Sequence, residues 1–135
     1  MVYITRRETF AAAHRLFQVG LNDEENYKLF GKCSNPNWHG HNYTLEVVVA
    51  GEINPATGFV LDIKHLKDII HQYVITKVDH KNLNIDTDFM KGLIPTSENI
   101  TVAIWEQLVD KIPGGKLYSV KLYETENNYF EYRGE

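Results

Sequence analysis

The stretch His41-Asn-Tyr-Thr-Leu-Glu-Val-Val-Val-Ala-Gly51 places Tyr43, Leu45, Val47 and Val49 at every second position. Apolar residues with a period of two put one face of a β-strand against a core and leave the other toward solvent. Upstream, Tyr3 to Ala13 alternates in the same way and predicts a partner strand. Between them, Gln18 to Trp38 is polar, with Gly20, Gly31, Pro36 and several asparagines, and predicts a long excursion instead of a tight hairpin. Long loops inside compact domains tend to be functional.

Downstream, Asn54-Pro-Ala-Thr-Gly58 is a turn, and Asp62 is placed to cap a helix whose apolar positions are Ile63, Leu66, Ile69, Ile70, Tyr73 and Val74, ending near Lys77. Pro95-Thr96-Ser97-Glu98 opens a second helix, with Ile100, Ala103, Ile104 and Leu108 as its stripe, and Pro113-Gly-Gly115 stops it. Lys116 to Glu124 alternates again, Asn127-Asn128 suits a hairpin turn, and Tyr129 to Tyr132 closes the chain as a short strand. The order strand, strand, helix, helix, strand, strand predicts an α+β fold: a four-stranded antiparallel sheet with two helices on one face. A sheet of this size has open edges, which favours oligomers.

The 135 residues are expected to form a single domain, 1–135. No apolar run reaches the ~20 residues of a membrane span, and Met1 to Arg7 lacks the apolar core of a secretory signal, so a cytoplasmic protein is expected, without membrane attachment. The one cysteine, Cys33, excludes an intrachain disulfide and suits a reducing compartment. A formal net charge of −4 with no Lys/Arg run argues against nucleic acid and leaves a small molecule as the expected ligand. For an anionic ligand, Arg15, Lys28 and Lys81 are candidate local cations, although surface lysines and arginines are usually only solvated.

The chemistry concentrates in Cys33-Ser-Asn-Pro-Asn-Trp-His39-Gly40-His41. Histidines one residue apart at a strand start project to the same side, and Gly40 spares a side chain at a crowded turn and permits unusual backbone angles. His14, at the end of the first strand, completes a three-imidazole set with an open fourth position, the donor set of a catalytic zinc. Separate turn and core histidines are the plain alternative. Cys33 could be a fourth ligand, a buried filler or a thiolate acting as base or nucleophile, and its polar loop argues against filler. Asp79-His80 offers a carboxylate and an imidazole at a helix end, or a mere loop closure. Glu124 stands where Tyr118, Val120 and Leu122 predict another apolar residue, and its carboxylate could accept two hydrogen bonds from a guanidine-like heterocycle.

In order, Phe10-Ala-Ala-Ala-His14-Arg-Leu16, Cys33 five residues before His39-Gly-His41, Asp79-His80-Lys-Asn-Leu83, Pro95-Thr-Ser-Glu-Asn99 and Tyr123-Glu124-Thr125 resemble the 6-pyruvoyl tetrahydropterin synthase family over nearly the whole chain. The resemblance implies the tunnelling fold, an oligomeric barrel of trimers paired into homohexamers with sites between subunits. It implies zinc on His14, His39 and His41, Cys33 as general base, Asp79 and His80 as proton relay, Glu124 as pterin anchor, and Thr96 and Glu98 around the pterin. The implied activity is a carbon–oxygen lyase converting 7,8-dihydroneopterin triphosphate to 6-pyruvoyl-tetrahydropterin plus triphosphate, a step of tetrahydrobiopterin biosynthesis. Related enzymes making 6-carboxytetrahydropterin for queuosine usually have a shorter gap between cysteine and HGH, so the five residues here favour the pyruvoyl type. A non-catalytic zinc module closed by Cys33 is the rival of another class, and it leaves Asp79, His80 and Glu124 unexplained. Trp38 stands where a small residue is expected before HGH, and Ala11 and Ala13 replace serines common in animal members.

Overall fold

The computed structural model describes residues Met1–Glu135, the whole chain. Strand β1 (Val2–His14) runs antiparallel to β2 (His39–Gly51) along its full length, with Val2 opposite Gly51 and His14 opposite His39. Strand β4 (Lys116–Thr125) lies on the other side of β2 and pairs in turn with β5 (Asn128–Tyr132), both antiparallel. The expected four strands are therefore present in the order β1-β2-β4-β5. A fifth, β3 (Lys81–Asn82), adds two residues parallel to Ala12–Ala13 and makes the sheet mixed.

Two helical elements cover the apolar face. Helix α2 (Ile63–Ile70) is capped by Asp62, whose carboxylate accepts from Lys64 N at 2.9 Å. It widens through one π-type turn, His71–Ile75, before a last turn, α3 (Thr76–Val78), so the helical run ends within a residue of the expected Lys77. Helix α4 (Ser97–Leu108) is capped by the Thr96 hydroxyl. Leu66, Ile70 and Val74 from the first run and Ile100, Ile104 and Leu108 from α4 meet Tyr43, Leu45, Val47, Val49, Val120 and Leu122 of the sheet, all fully buried. Each such aliphatic side chain contributes roughly 1.5–3 kcal/mol through burial. Ile63, counted in the apolar stripe from its spacing, is instead 52% exposed on the first turn.

Two local features depart from the alternation. Ser119 and Val120 are both buried because Tyr118 is an extra residue between the pairs Val49–Leu117 and Val48–Ser119. That bulge turns Tyr118 outward, away from the face shared by Val120, Leu122 and Glu124. The excursion after β1 contains a helix that its polarity concealed, α1 (Asp23–Phe30), opened by a reciprocal cap: Asn22 Oδ1 accepts from Glu25 N at 2.8 Å and Glu25 Oε1 accepts from Asn22 N at 3.1 Å. Buried Asn26 then ties the approach to this helix, accepting from Gln18 N and donating to Gln18 O and Leu21 O. No helix is long and apolar enough to cross a membrane.

Candidate metal centre and carboxylate pocket

The register of β1 and β2 assembles the imidazoles. His14 faces His39 directly, and His41 faces Ala12, so the three rings emerge on one side of the sheet at its end. Their centroids are 4.5 Å (His14–His39), 5.2 Å (His14–His41) and 5.1 Å (His39–His41) apart. One nitrogen from each lies within 4.8 Å of the others, a spacing that one metal ion could bridge.

Protonation and hydrogen bonding fit that use. His14, 1% exposed, approaches Pro95 O with Nδ1 at 2.8 Å. A carbonyl can only accept, so Nδ1 carries the proton and Nε2 is left as a lone-pair donor with no partner. Nε2 of His41 and both ring nitrogens of His39 are likewise buried and unpartnered. Buried polar atoms without partners are costly, and a bound cation would account for one nitrogen on each of the three converging rings, leaving the second nitrogen of His39 without a partner inside the chain.

Burial pushes the His14 imidazole below its ordinary value; the Pro95 carbonyl opposes this, and His39 and His41 add to it. His39 is lowered by burial and then by His41. The neutral forms that can ligate are thus favoured. Unfolded, these imidazoles titrate near 6.5. Because their folded values are lower, the unfolded chain takes up more protons below that point, and stability falls as pH falls. The melting temperature of the metal-free protein should therefore decline between about pH 7.5 and about pH 5.5, and the double variant His14→Gln, His39→Gln should flatten the profile in the same scan.

Beside the rings, Glu124 Oε1 lies 3.8 Å from His41 Nε2, and its Oε2 accepts from Ser97 Oγ at 2.6 Å. Tyr43, fully buried and stacked on Phe10, completes this wall with an unpartnered hydroxyl. Burial first, then the charges of Glu124 and Cys33, push its ionisation far above the usual phenol range, so it stays a neutral donor.

Cys33 sits half-buried in a 3₁₀ turn, Gly31–Ser34, whose carbonyl accepts from Leu16 N at 2.9 Å, two residues after His14. Thr96 uses its hydroxyl to cap α4, accepting from Asn99 N at 3.2 Å, and Glu98 is exposed on the first turn of that helix. Asp79 and His80 lie elsewhere. Asp79 Oδ1 accepts from Ala11 N at 3.0 Å, a bond that holds its carboxyl below the ordinary value, and Oδ2 stands 3.0 Å from His80 Nδ1. The hollow bordered by His80 lies at the β1 edge of the sheet, where Lys81 and Asn82 run beside Ala12 and Ala13, and its lining includes Ala11, Gly40 and Asn42 as well as Ala12 and His41. One chain thus groups His14, His39, His41 and Glu124, brings the Cys33 turn beside them, and leaves the Asp79–His80 pair apart.

Two participants escaped the sequence reading, Pro95 through its carbonyl and Ser97 through its hydroxyl. Ser97 carried a signal, since it falls four residues before buried Thr101 on the inward side of α4, where a serine needs a partner. Gly40 behaves in part as its position suggests. A Cβ there would sit 3.2 Å from Ala12 O, confirming the crowding, but the left-handed backbone falls on Trp38, with φ +70°.

The sequence matches the 6-pyruvoyl tetrahydropterin synthase family over residues 3–135. It is 51% identical over 132 residues to the 6-pyruvoyl tetrahydrobiopterin synthase of Pongo abelii and 49% identical over 132 residues to that of Homo sapiens; each alignment spans 98% of this chain and 91% of the relative. The solved 6-pyruvoyl tetrahydropterin synthase of Caenorhabditis elegans superposes with a TM-score of 0.92 at 41% identity, covering 99% of this chain and 96% of that one.

Proposed function

This chain belongs to the 6-pyruvoyl tetrahydropterin synthase family, and from that membership we propose that it is a single-domain zinc lyase converting 7,8-dihydroneopterin triphosphate to 6-pyruvoyl-tetrahydropterin and triphosphate. The observation that carries this reading is the trio of unpartnered imidazoles beside a carboxylate held by Ser97. His14, His39 and His41 would hold the zinc, which when bound acts as a Lewis acid toward the substrate's side-chain oxygens and makes the adjacent C–H protons more acidic.

The chain's own residues do the rest. Glu124, oriented by Ser97, accepts the N–H edge of the pterin, with Thr96 and Glu98 around the ring. Cys33 as thiolate takes the proton, a general-base contribution of typically ~10²–10⁴-fold. Elimination expels triphosphate, and an internal redox shift completes the product without a nicotinamide. Asp79 and His80 assist proton movement from a neighbouring copy, an arrangement consistent with their place at the β1 edge of the sheet, where Asp79 and His80 bond to Ala11. We assign a homohexamer, a dimer of trimers, with the site between subunits. The outer edge of β5 and most of the β1 edge beyond β3 are unpaired in the single chain, and such edges favour strand pairing between copies. The free thiol and the absence of an apolar spanning helix fit a cytoplasmic setting.

The test is incubation of zinc-loaded protein with dihydroneopterin triphosphate, following triphosphate release and identifying the pterin by mass spectrometry. A pyruvoyl product is expected. A carboxy product would move the chain to the queuosine branch, and zinc binding without turnover would make it a binding module.

A further inference from the structure

The segment that follows His14 grips the thiol loop at three consecutive residues. Arg15 Nε donates to Ser34 O at 2.8 Å, Leu16 N donates to Cys33 O at 2.9 Å, and the Phe17 ring receives Trp38 edge-on, with centroids 6.5 Å apart and planes at 87°. The Arg15 guanidinium lies over the Phe17 ring, 4.3 Å from its centroid. The loop from Cys33 to Trp38 is thereby held at both ends against residues 15–17, which follow His14.

Trp38 is the strained member. Its φ of +70° is a backbone region that large side chains rarely occupy, and its N–H donates to Asn35 O at 3.0 Å, closing the turn immediately before His39. Strain of this kind persists only where the surroundings over-determine it. Here the half-buried indole is seated on Phe17, and Phe17 is in turn covered by Arg15.

We propose that Trp38, seated on Phe17, is a positioning residue that fixes the Cys33 turn relative to the three imidazoles. The inference deepens the function proposed above and rests on it for the catalytic consequence alone. A thiol that must reach a proton beside the cluster is sensitive to small displacements, and the aromatic contact supplies the rigidity that a polar, asparagine-rich loop lacks. Glycine at position 38 would accept the same backbone without strain while removing the contact, so relief and loss offset each other in the fold but not in the placement of the thiol.

The test compares Trp38→Gly and Trp38→Phe in the zinc-loaded protein. Trp38→Gly should keep one zinc per chain and a KM within about twofold, lose about tenfold or more in kcat, and raise the iodoacetamide alkylation rate of Cys33 by roughly threefold or more as the turn loosens. Trp38→Phe, which keeps a ring on Phe17, should restore both rates to near the unsubstituted values. Unchanged kcat and alkylation in Trp38→Gly overturn the proposal, as does loss of zinc in that variant or a defect that phenylalanine does not rescue. Alkylation and zinc content are read without substrate, so the clamp stands or fails even if dihydroneopterin triphosphate is not turned over.

Discussion

Replacing Cys33 with alanine should lower kcat for triphosphate release by about 10²–10⁴-fold, the usual contribution of a positioned base, while zinc stoichiometry and melting temperature stay near those of the unsubstituted protein. The expectation rests on where the residue sits. Cys33 is half-buried in a short turn fixed by its own carbonyl, not by its sulfur, so the side chain can be removed without loosening the backbone bond to Leu16. That bond to Leu16, two residues after His14, brings the turn carrying the thiol beside the imidazole cluster. Metal analysis of the variant decides between roles: a retained ion with lost turnover supports a base, whereas a lost ion would make Cys33 a fourth ligand and point to a closed, non-catalytic site.

The second large effect is expected at His39. His39→Ala removes a ring whose two nitrogens are both buried and unpartnered, so no internal hydrogen bond is sacrificed. It deletes one of the three proposed ligands, and a loss of about 4 kcal/mol in metal binding, or roughly a thousandfold in affinity, is the expected scale for a site of this kind. Turnover should fall to background at micromolar zinc. Isothermal titration with zinc measures the affinity directly. Melting of the metal-free variant should be unchanged or slightly raised, because His14, lowered chiefly by burial, loses the smaller additional lowering from the neighbouring His39 imidazole. A variant that binds zinc as tightly as the original would remove His39 from the ligand set.

How much of this was legible beforehand depends on how local each determinant is. The alternation of Tyr43, Leu45, Val47 and Val49 made β2 readable because one face is sealed by helices and the period repeats over most of the strand. The start of α4 was readable because Thr96 and the residues it caps are adjacent in sequence. Helix α1 was missed because its eight residues carry little apolar periodicity; its order comes from the Asn22–Glu25 cap and from Asn26 reaching back to Gln18. Strand β3 is two residues long and exists only because Ala12 and Ala13 lie beside it. Within the site, the imidazole trio followed from strand register, whereas Pro95 and Ser97 act across 81 and 27 residues of chain; the helix pattern marks Ser97 as inward-facing, but no local pattern names its partner or that of Pro95. The outward turn of Tyr118 was hidden for a related reason, since a bulge is a property of the strand pair and not of one strand.

The three residues Pro95, Thr96 and Ser97 have a consequence of their own. The first holds the His14 imidazole, the second caps the helix, and the third holds the Glu124 carboxylate. With zinc on His14 and the pterin on Glu124, as proposed, ion and heterocycle would share one anchor, and whatever one occupant does to that anchor the other must feel. Linkage makes this reciprocal: an ion that settles His14 against Pro95 pre-pays part of the ordering that the pterin would otherwise have to meet, and a bound pterin returns the same free energy to the ion. On that proposal the helix start is a hinge pin common to two ligands, and its stiffness would set how strongly each one's affinity reports the presence of the other.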